Sequence, residues 1–349
     1  MNFADSKAGP PWRRPCEYPQ PRMLDFFTMS PSASAHQPQS PAQHGTPDLR
    51  VSVGSVSLKN PIIAASGTFG YGIEFAHLVN LNRLGGLVVK GLSVQPMAGN
   101  PAPRMRETAG GMVNAIGLQN IGVRAFVAEK LPKLRQFDTA IIANIFGHTV
   151  SDYVEVIHVL EDAEGLTAYE LNISCPNVER RGLEYSANPD LIVEVVGAAK
   201  AAARNRPLWV KLSPTIGIIG LTAKAAESAG ADAVVIANTY PALCINSHNR
   251  MSHLGSTTGG LSGPAVKPIT LRLVYEATRV IRIPVIGLGG IETPDDVMEY
   301  IVVGAAATEV GTANFVNPQA SEKLVSGLEK WCLEENLLEI SKLRGTLRS

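Results

Sequence analysis

Gly287-Leu288-Gly289-Gly290-Ile291-Glu292 is the stretch on which the fold of this chain turns. The glycines close a short apolar run, Pro284 to Gly287, at the point where a strand of an α/β protein meets its ligand. A doubly wound dinucleotide-binding fold wants Gly-x-Gly-x-x-Gly there, and its third glycine lets the helix pack closely on the strand. Glu292 stands where that glycine belongs. The nicotinamide-binding reading therefore fails, and the glycine pair is left to serve a different α/β architecture.

Working outward, the same pattern recurs: a short apolar run with β-branched residues ends in Gly, Ser, Asn, Lys or Thr and gives way to a helical stretch. Eight such runs are present, Ile62 to Ser66, Leu87 to Lys90, Ala140 to Ile145, Tyr169 to Ser174, Leu208 to Leu212, Ala233 to Asn238, Pro284 to Gly287 and Ala307 to Gly311. Helix starts are marked at Asn188-Pro189-Asp190 and Thr293-Pro294-Asp295-Asp296, where a capping residue precedes Pro at the first helical position. Leu191, Val195, Ala199 and Ala202 give one helix an apolar stripe, with Glu194 and Lys200 off it. Eight strand–helix units predict an α/β fold of the (β/α)8 TIM-barrel type. Before them, Val51 to Leu58 alternates with period two around Gly54, which predicts a hairpin that plugs or caps one end.

Residues 1–48 are rich in Pro, Ser, Gln and Ala and cannot bury enough apolar surface to offset ordering entropy, so they read as a disordered tail before a barrel domain over 49–349. Met23 and Met29 are candidate alternative starts. Lys plus Arg and Asp plus Glu are 31 each, which supplies no field for nucleic acid or an anionic membrane. No apolar run approaches the ~18 residues that span a bilayer, and no apolar signal core is present. Cys16, Cys175, Cys244 and Cys332 are scattered, which points to a reducing, cytoplasmic setting and supplies no zinc or iron–sulfur ligand set. Cys244 with His248 and His253 is spaced too irregularly for a metal site and lacks a fourth ligand.

The intervals after the second and sixth strands are both roughly 50 residues, longer than one crossover needs. Two insertions therefore follow strand ends, on the face where barrels build their sites. One holds Gly110 to Asn120; the other, Pro241 to Gly263, contains Gly259-Gly260-Leu261-Ser262-Gly263. The strand ends themselves collect Ser66, Lys90, Asn144, Asn172 with Cys175, Lys211, Asn238 with Thr239, Gly289-Gly290 and Gly311-Thr312. Taken singly, each has a dull reading: Cys175 as a small buried hydrophobe, Lys90 and Lys211 as snorkelling side chains, the glycines as turns, the amides as loop residues. Their concurrence on one rim argues for a site. Amides and lysines suit a flat heterocycle with alternating carbonyl and N–H groups, and paired glycines after the last two strands suit a phosphate. A phosphorylated planar cofactor such as FMN meets both requirements.

Leu171-Asn172-Ile173-Ser174-Cys175-Pro176-Asn177-Val178, Asn114-Ala115-Ile116-Gly117-Leu118, Thr258 to Pro264 and Val310 to Pro318 together resemble the dihydroorotate dehydrogenase family, in particular the catalytic subunit of its class 1B, NAD-linked type. The resemblance covers about residues 50 to 335. It implies oxidation of dihydroorotate to orotate for pyrimidine synthesis, with the C5 proton going to Cys175 as base and the C6 hydride to FMN. It further implies that Lys90, Asn114, Ala115, Ile116, Gly117, Leu118, Asn172, Asn177, Asn238 and Thr239 hold the substrate. By the same matching, Ser66, Lys90, Gly91, Asn144, Asn172, Lys211, Ala237, Gly263, Gly289, Gly290, Gly311 and Thr312 line the FMN. A homodimer core joined by an electron-transfer subunit carrying FAD and an iron–sulfur cluster, giving a heterotetramer, is the partner arrangement it implies.

Cys rather than Ser at 175 and the lack of an N-terminal membrane helix argue against the quinone-linked class. Without the partner subunit, fumarate or another soluble acceptor takes its place. Arg180-Arg181-Gly182-Leu183-Glu184-Tyr185-Ser186 and Tyr240 to Thr257 depart from the family pattern. Competing readings are a flavin barrel acting on another pyrimidine, such as a dihydropyrimidine dehydrogenase or dihydrouridine synthase, and a catalytically idle barrel. The synthase must hold tRNA, which a neutral chain with little beyond its eighth strand is ill equipped to do.

Overall fold

The computed structural model describes residues 45–173, 188–214, 217 and 219–348. Sixteen strands occur among them. A short antiparallel hairpin, β1 (Val51–Val53) and β2 (Val56–Leu58), turns at Gly54, whose φ of +61° favours glycine. Eight parallel strands then close into a barrel: β3 (Ile62–Ala64), β4 (Gly86–Val88), β7 (Ala140–Ile145), β8 (Ala168–Asn172), β9 (Leu208–Leu212), β10 (Ala233–Ile236), β15 (Val285–Leu288) and β16 (Ala307–Val310). Closure runs from β16 back to β3, with Thr308 opposite Ile62 and Val310 opposite Ala64. All eight runs expected from the sequence are barrel strands.

Period two divides each strand between two environments, because successive side chains point to opposite faces. Ile63, Val88, Ile142, Ala168, Trp209, Val235, Ile286 and Ala307 form one buried cluster, the barrel lumen. Val53, Val56 and Leu58 of the hairpin belong to the same cluster, and Gly54 lies against the Asp232 carbonyl just before β10. The hairpin therefore closes the N-terminal end of the barrel, as its alternation predicted. The complementary set, including Ala64, Leu87, Ala143, Tyr169, Leu171, Val210 and Val234, packs outward against the helices.

Helical segments fill the connections. They are α1 (Val123–Ala125) running through a π turn (Phe126–Lys130) into α2 (Leu131–Leu134), then α3 (Val150–Glu161), α4 (Pro189–Ala202), α5 (Ile219–Ser228), α6 (Lys267–Thr278), α7 (Pro294–Val302), α8 (Ala313–Val316) and α9 (Ala320–Glu334). Two expected starts are present as read. Asn188 accepts from the Asp190 N–H, and Thr293 with Asp296 makes a full capping box ahead of α7. The stripe of α4 differs in one respect: Ile192 and Val196 are buried with Val195, Ala199 and Ala202, whereas Leu191 is half-buried. A helix seated in the groove between β8 and β9 buries a broad face, and its centre falls one residue beyond the narrow stripe drawn from Leu191.

Both insertions rise from the C-terminal rim. The first contributes β5 (Met105–Thr108) and β6 (Gly111–Asn114), and the second contributes β11 (Tyr240–Ala242), β12 (Ile245–Asn246), β13 (Met251–Ser252) and β14 (Gly259–Ser262). They are not separate flaps. β14 pairs antiparallel with β6, placing Leu261 opposite Val113, so that β11, β14, β6 and β5 make one four-stranded sheet. Among the described residues no helix is long and apolar enough to cross a membrane.

Candidate active site

Lumen parity carries straight into the site. On β9 the inward series is Trp209, Lys211, Ser213; on β8 it is Ala168, Glu170, Asn172; on β7 it is Ile142, Asn144. Apolar residues occupy the lower lumen, and polar ones begin one step higher, where a cavity of about 590 Å³ opens beneath the four-stranded sheet. Every described residue expected to bind cofactor or substrate lines this cavity, from Ser66, Lys90 and Gly91 through Asn114 to Leu118, Asn144, Asn172, Lys211 and Ala237 to Thr239, to the glycines at 263, 289, 290 and 311 with Thr312. Cys175 and Asn177 lie outside the described residues, as does the atypical stretch from Arg180 to Ser186. Asn172, three positions before Cys175, is on the cavity wall, and its carbonyl accepts from the Tyr153 hydroxyl at 3.0 Å.

Lys211 is the most constrained member. Its side chain is 3 % exposed, and its Nζ lies 3.4 Å from Glu170 Oε1, from Glu309 Oε2 and from Ser66 Oγ. Both glutamates are fully buried. Asn144 Nδ2 donates to Glu170 Oε1 at 2.5 Å. Burial pulls the ammonium of Lys211 down, but the two carboxylates more than offset it, so its pKa lies above the ordinary lysine value. Lys90 is the opposite case. Half-buried and with no carboxylate paired to it among the described residues, it is shifted down by burial and by Arg104. An anionic group in the cavity would supply the counter-charge it lacks, which suits Lys90 to hold one.

The glycines test whether a phosphorylated planar group fits. Gly290 sits at φ +68°, and a Cβ there would lie 2.7 Å from Lys267 Cβ and 2.9 Å from the Gly263 carbonyl. A Cβ on Gly263, at φ +98°, would lie 2.6 Å from Gly111 Cα. These positions are glycine because backbone, not side chain, must come close. Bare backbone at the glycines, two lysines and a row of amides on one cavity wall match the donor set a flavin mononucleotide needs. The residues fit the group.

Sequence reasoning missed Glu170 and Glu309, which lie beneath the cavity rather than on its wall, and Asn100, Gln119, Ser213, Glu292 and Phe315, which do line it. Period two held the signal for the first pair, since Glu170 precedes Asn172 by two and Glu309 precedes Gly311 by two. Among the described residues no group of three His, Cys, Asp or Glu side chains is placed to hold a metal ion.

A family model described as dihydroorotate dehydrogenase matches residues 48–332. A protein of Solibacter usitatus, provisionally named dihydroorotate dehydrogenase A (fumarate), is 53 % identical over 303 residues, covering 87 % of this chain and 99 % of its own. Two relatives named dihydroorotate dehydrogenase B (NAD(+)), catalytic subunit, are those of Thermodesulfovibrio yellowstonii, 46 % identical over 302 residues, and Trichlorobacter lovleyi, 47 % identical over 301 residues. Each alignment covers 86 % of this chain and 99 % of the relative.

Proposed function

The chain belongs to the dihydroorotate dehydrogenase family, and from that premise we propose that it oxidises (S)-dihydroorotate to orotate in de novo pyrimidine synthesis, with FMN as its resident cofactor. The observation that carries this reading is the one cavity in which Lys90, Lys211, five asparagines and the close-approach glycines converge above an apolar plug.

FMN bound there supplies the acceptor for the hydride that leaves C6 of dihydroorotate. The protein does the rest. Cys175, as thiolate, takes the C5 proton, so that proton and hydride together leave a C5–C6 double bond. Support for Cys175 comes from the match of residues 171–178 to the family motif and from Asn172 on the cavity wall. Lys90 pairs with the substrate carboxylate, while Asn114, Asn172, Asn177 and Asn238 supply donor and acceptor together to the pyrimidine edge. Lys211, fixed from below, presents a preorganised positive charge where negative charge develops. Backbone at Gly263, Gly290 and Gly311 would hold the FMN phosphate. The sheet joining the two insertions covers the cavity and keeps water from it.

Electrons leave in one of two ways. Relatives named as NAD(+)-linked catalytic subunits favour a partner subunit, for which the family resemblance implies FAD and an iron–sulfur cluster within a heterotetramer built on a homodimer. The Solibacter relative favours fumarate. The test is anaerobic addition of dihydroorotate to the yellow protein, which bleaches the flavin absorbance; a Cys175→Ala variant keeps its colour while still binding orotate. Reoxidation by fumarate alone selects the second route, and reoxidation by NAD(+) only with a co-purified flavoprotein selects the first. A colourless preparation that takes up no FMN overturns the reading.

A further inference from the structure

Beneath the cavity, among the described residues, the barrel carries two buried acids to one buried base. Glu170 on β8 and Glu309 on β16 are both fully buried, and both reach the Nζ of Lys211 on β9. With every group ionised the trio bears a net negative charge, in a layer whose other inward neighbours are the neutral Asn144 and Ser66 and, on β4, β10 and β15, the apolar Val88, Val235 and Ile286. That is a costly arrangement, because a buried charge without a counter-charge forfeits its solvation with nothing in return. Hydrogen bonding points to the same groups. Glu170 Oε2 and Glu309 Oε1 are buried oxygens with no donor, and two ionised carboxylates side by side can only accept. The Trp209 indole N–H, also buried in the lumen, is a donor without an acceptor, so it is the charge count that leaves the trio one proton short, and the two bare oxygens mark where that proton can sit.

We propose that Glu170 and Glu309 share a single proton, so that the trio with Lys211 is electrically neutral and Glu309 is a positioning residue that holds the Lys211 ammonium against the underside of the cavity. Asn144 Nδ2 donates to Glu170 Oε1 at 2.5 Å, a donor Glu309 does not share, which favours placing the proton on Glu309. Glu309 carries the proton: burial raises its pKa well above the ordinary carboxylate range, the charge of Glu170 adds to this, and Lys211 only partly offsets it. Neither glutamate lines the cavity, whereas Lys211 does, so the pair acts through the lysine. For the flavin reading on which this part rests, neutrality has a direct use. A trio bearing a negative charge would oppose negative charge on a ligand above it, whereas the neutral trio leaves only the ammonium facing that ligand.

The test is infrared absorption of the full-length protein in H2O and D2O, subtracting the spectrum of Glu309→Gln from that of the wild type. Gln is neutral and close in shape to a protonated Glu, and anything else in the cavity cancels in the difference. The wild type shows the C=O stretch of a protonated carboxylic acid, shifted in D2O and present across neutral pH, and E309Q loses it. Glu170→Gln serves as a second variant, losing the same band because Glu309 then becomes the sole carboxylate facing Lys211. A second arm reads the midpoint potential of bound flavin, which E309Q leaves at its wild-type value because a neutral acid has been exchanged for a neutral amide. No acid band in the wild type, a band that survives in both variants, or a potential that rises in E309Q as loss of a negative charge demands, would each overturn the proposal. A protein that binds no flavin defeats the functional reading, and the infrared arm still decides the shared proton.

Discussion

Replacing Lys211 by Met removes the cation that faces Glu170 and Glu309 while keeping the length and most of the volume of the side chain. The ammonium lies 3.4 Å from each of two fully buried carboxyl groups. Without it one carboxylate is left uncompensated, and the folded protein's cheapest response is to bind another proton. Taking that proton at pH 7 from a glutamate of ordinary pKa, about 2.5 pH units lower, costs about 3.5 kcal/mol at about 1.36 kcal/mol per unit, which falls within the ~3–5 kcal/mol expected for breaking a buried pair. The sign of the pH dependence follows. In the variant the folded pKa of the second carboxyl is raised above its unfolded value, so its contribution is whole below the unfolded pKa and is lost as pH rises towards the folded one. The stability gap between wild type and K211M should therefore be small near the ordinary glutamate pKa and widen by about 1.4 kcal/mol per pH unit above it. Urea unfolding midpoints of ligand-free protein at mildly acidic, neutral and mildly alkaline pH provide the measurement. Ligand-free protein is used so that binding does not enter the comparison. A gap that does not change with pH, or one below about 1 kcal/mol as for a surface pair, would refute the reasoning.

Three further outcomes are expected. Gly290→Ala places a Cβ 2.7 Å from Lys267 Cβ at a φ of +68°; strain of ~1–3 kcal/mol should lower the unfolding midpoint, and equilibrium dialysis should show FMN retained at least about tenfold more weakly, about 1.4 kcal/mol. Turnover limited by the Cys175 base should rise towards a reference thiol pKa of ~8.5, and Cys175→Ser should remove that rise from the rate of flavin reduction, so a profile identical to wild type would exclude Cys175 as the base. Asp296 accepts from the Glu292 and Thr293 N–H groups and pairs with Lys267; burial raises its pKa, but these partners outweigh it and the net shift is downward. Its contribution is present above the ordinary aspartate pKa and lost as pH falls, so Asp296→Asn should cost ~0.5–2 kcal/mol at neutral pH and nothing in strong acid, as followed by thermal unfolding.

Much of the molecule is legible in the chain because barrel strands advertise themselves. A run buried on both faces has no polar position until it emerges, so Lys90, Asn144, Asn172 and Lys211 mark strand ends and, by emerging inward, mark the cavity as well. The same rule hid the glutamates. Tyr169-Glu170-Leu171 and Thr308-Glu309-Val310 place a charge inside a run otherwise read as core, and only the closed barrel shows that β8, β9 and β16 aim those charges at one another. Local pattern likewise located two long insertions without revealing that they pair. Strand pairing over more than a hundred residues depends on where the rim brings the segments, and Gly259-Gly260-Leu261-Ser262 has too little alternation to announce a partner.

That pairing makes the two insertions one inheritable part. Leu261 faces Val113 and Ser262 faces Met112 across β14 and β6. Gly260 has no room for a Cβ, which would lie 1.9 Å from Thr239 Oγ1. Transplanting either segment alone from a homologue would leave a strand edge without its partner and a rim without its cover. A graft of residues 105–114 is therefore expected to keep the cover over the cavity only when residues 240–263 travel with it.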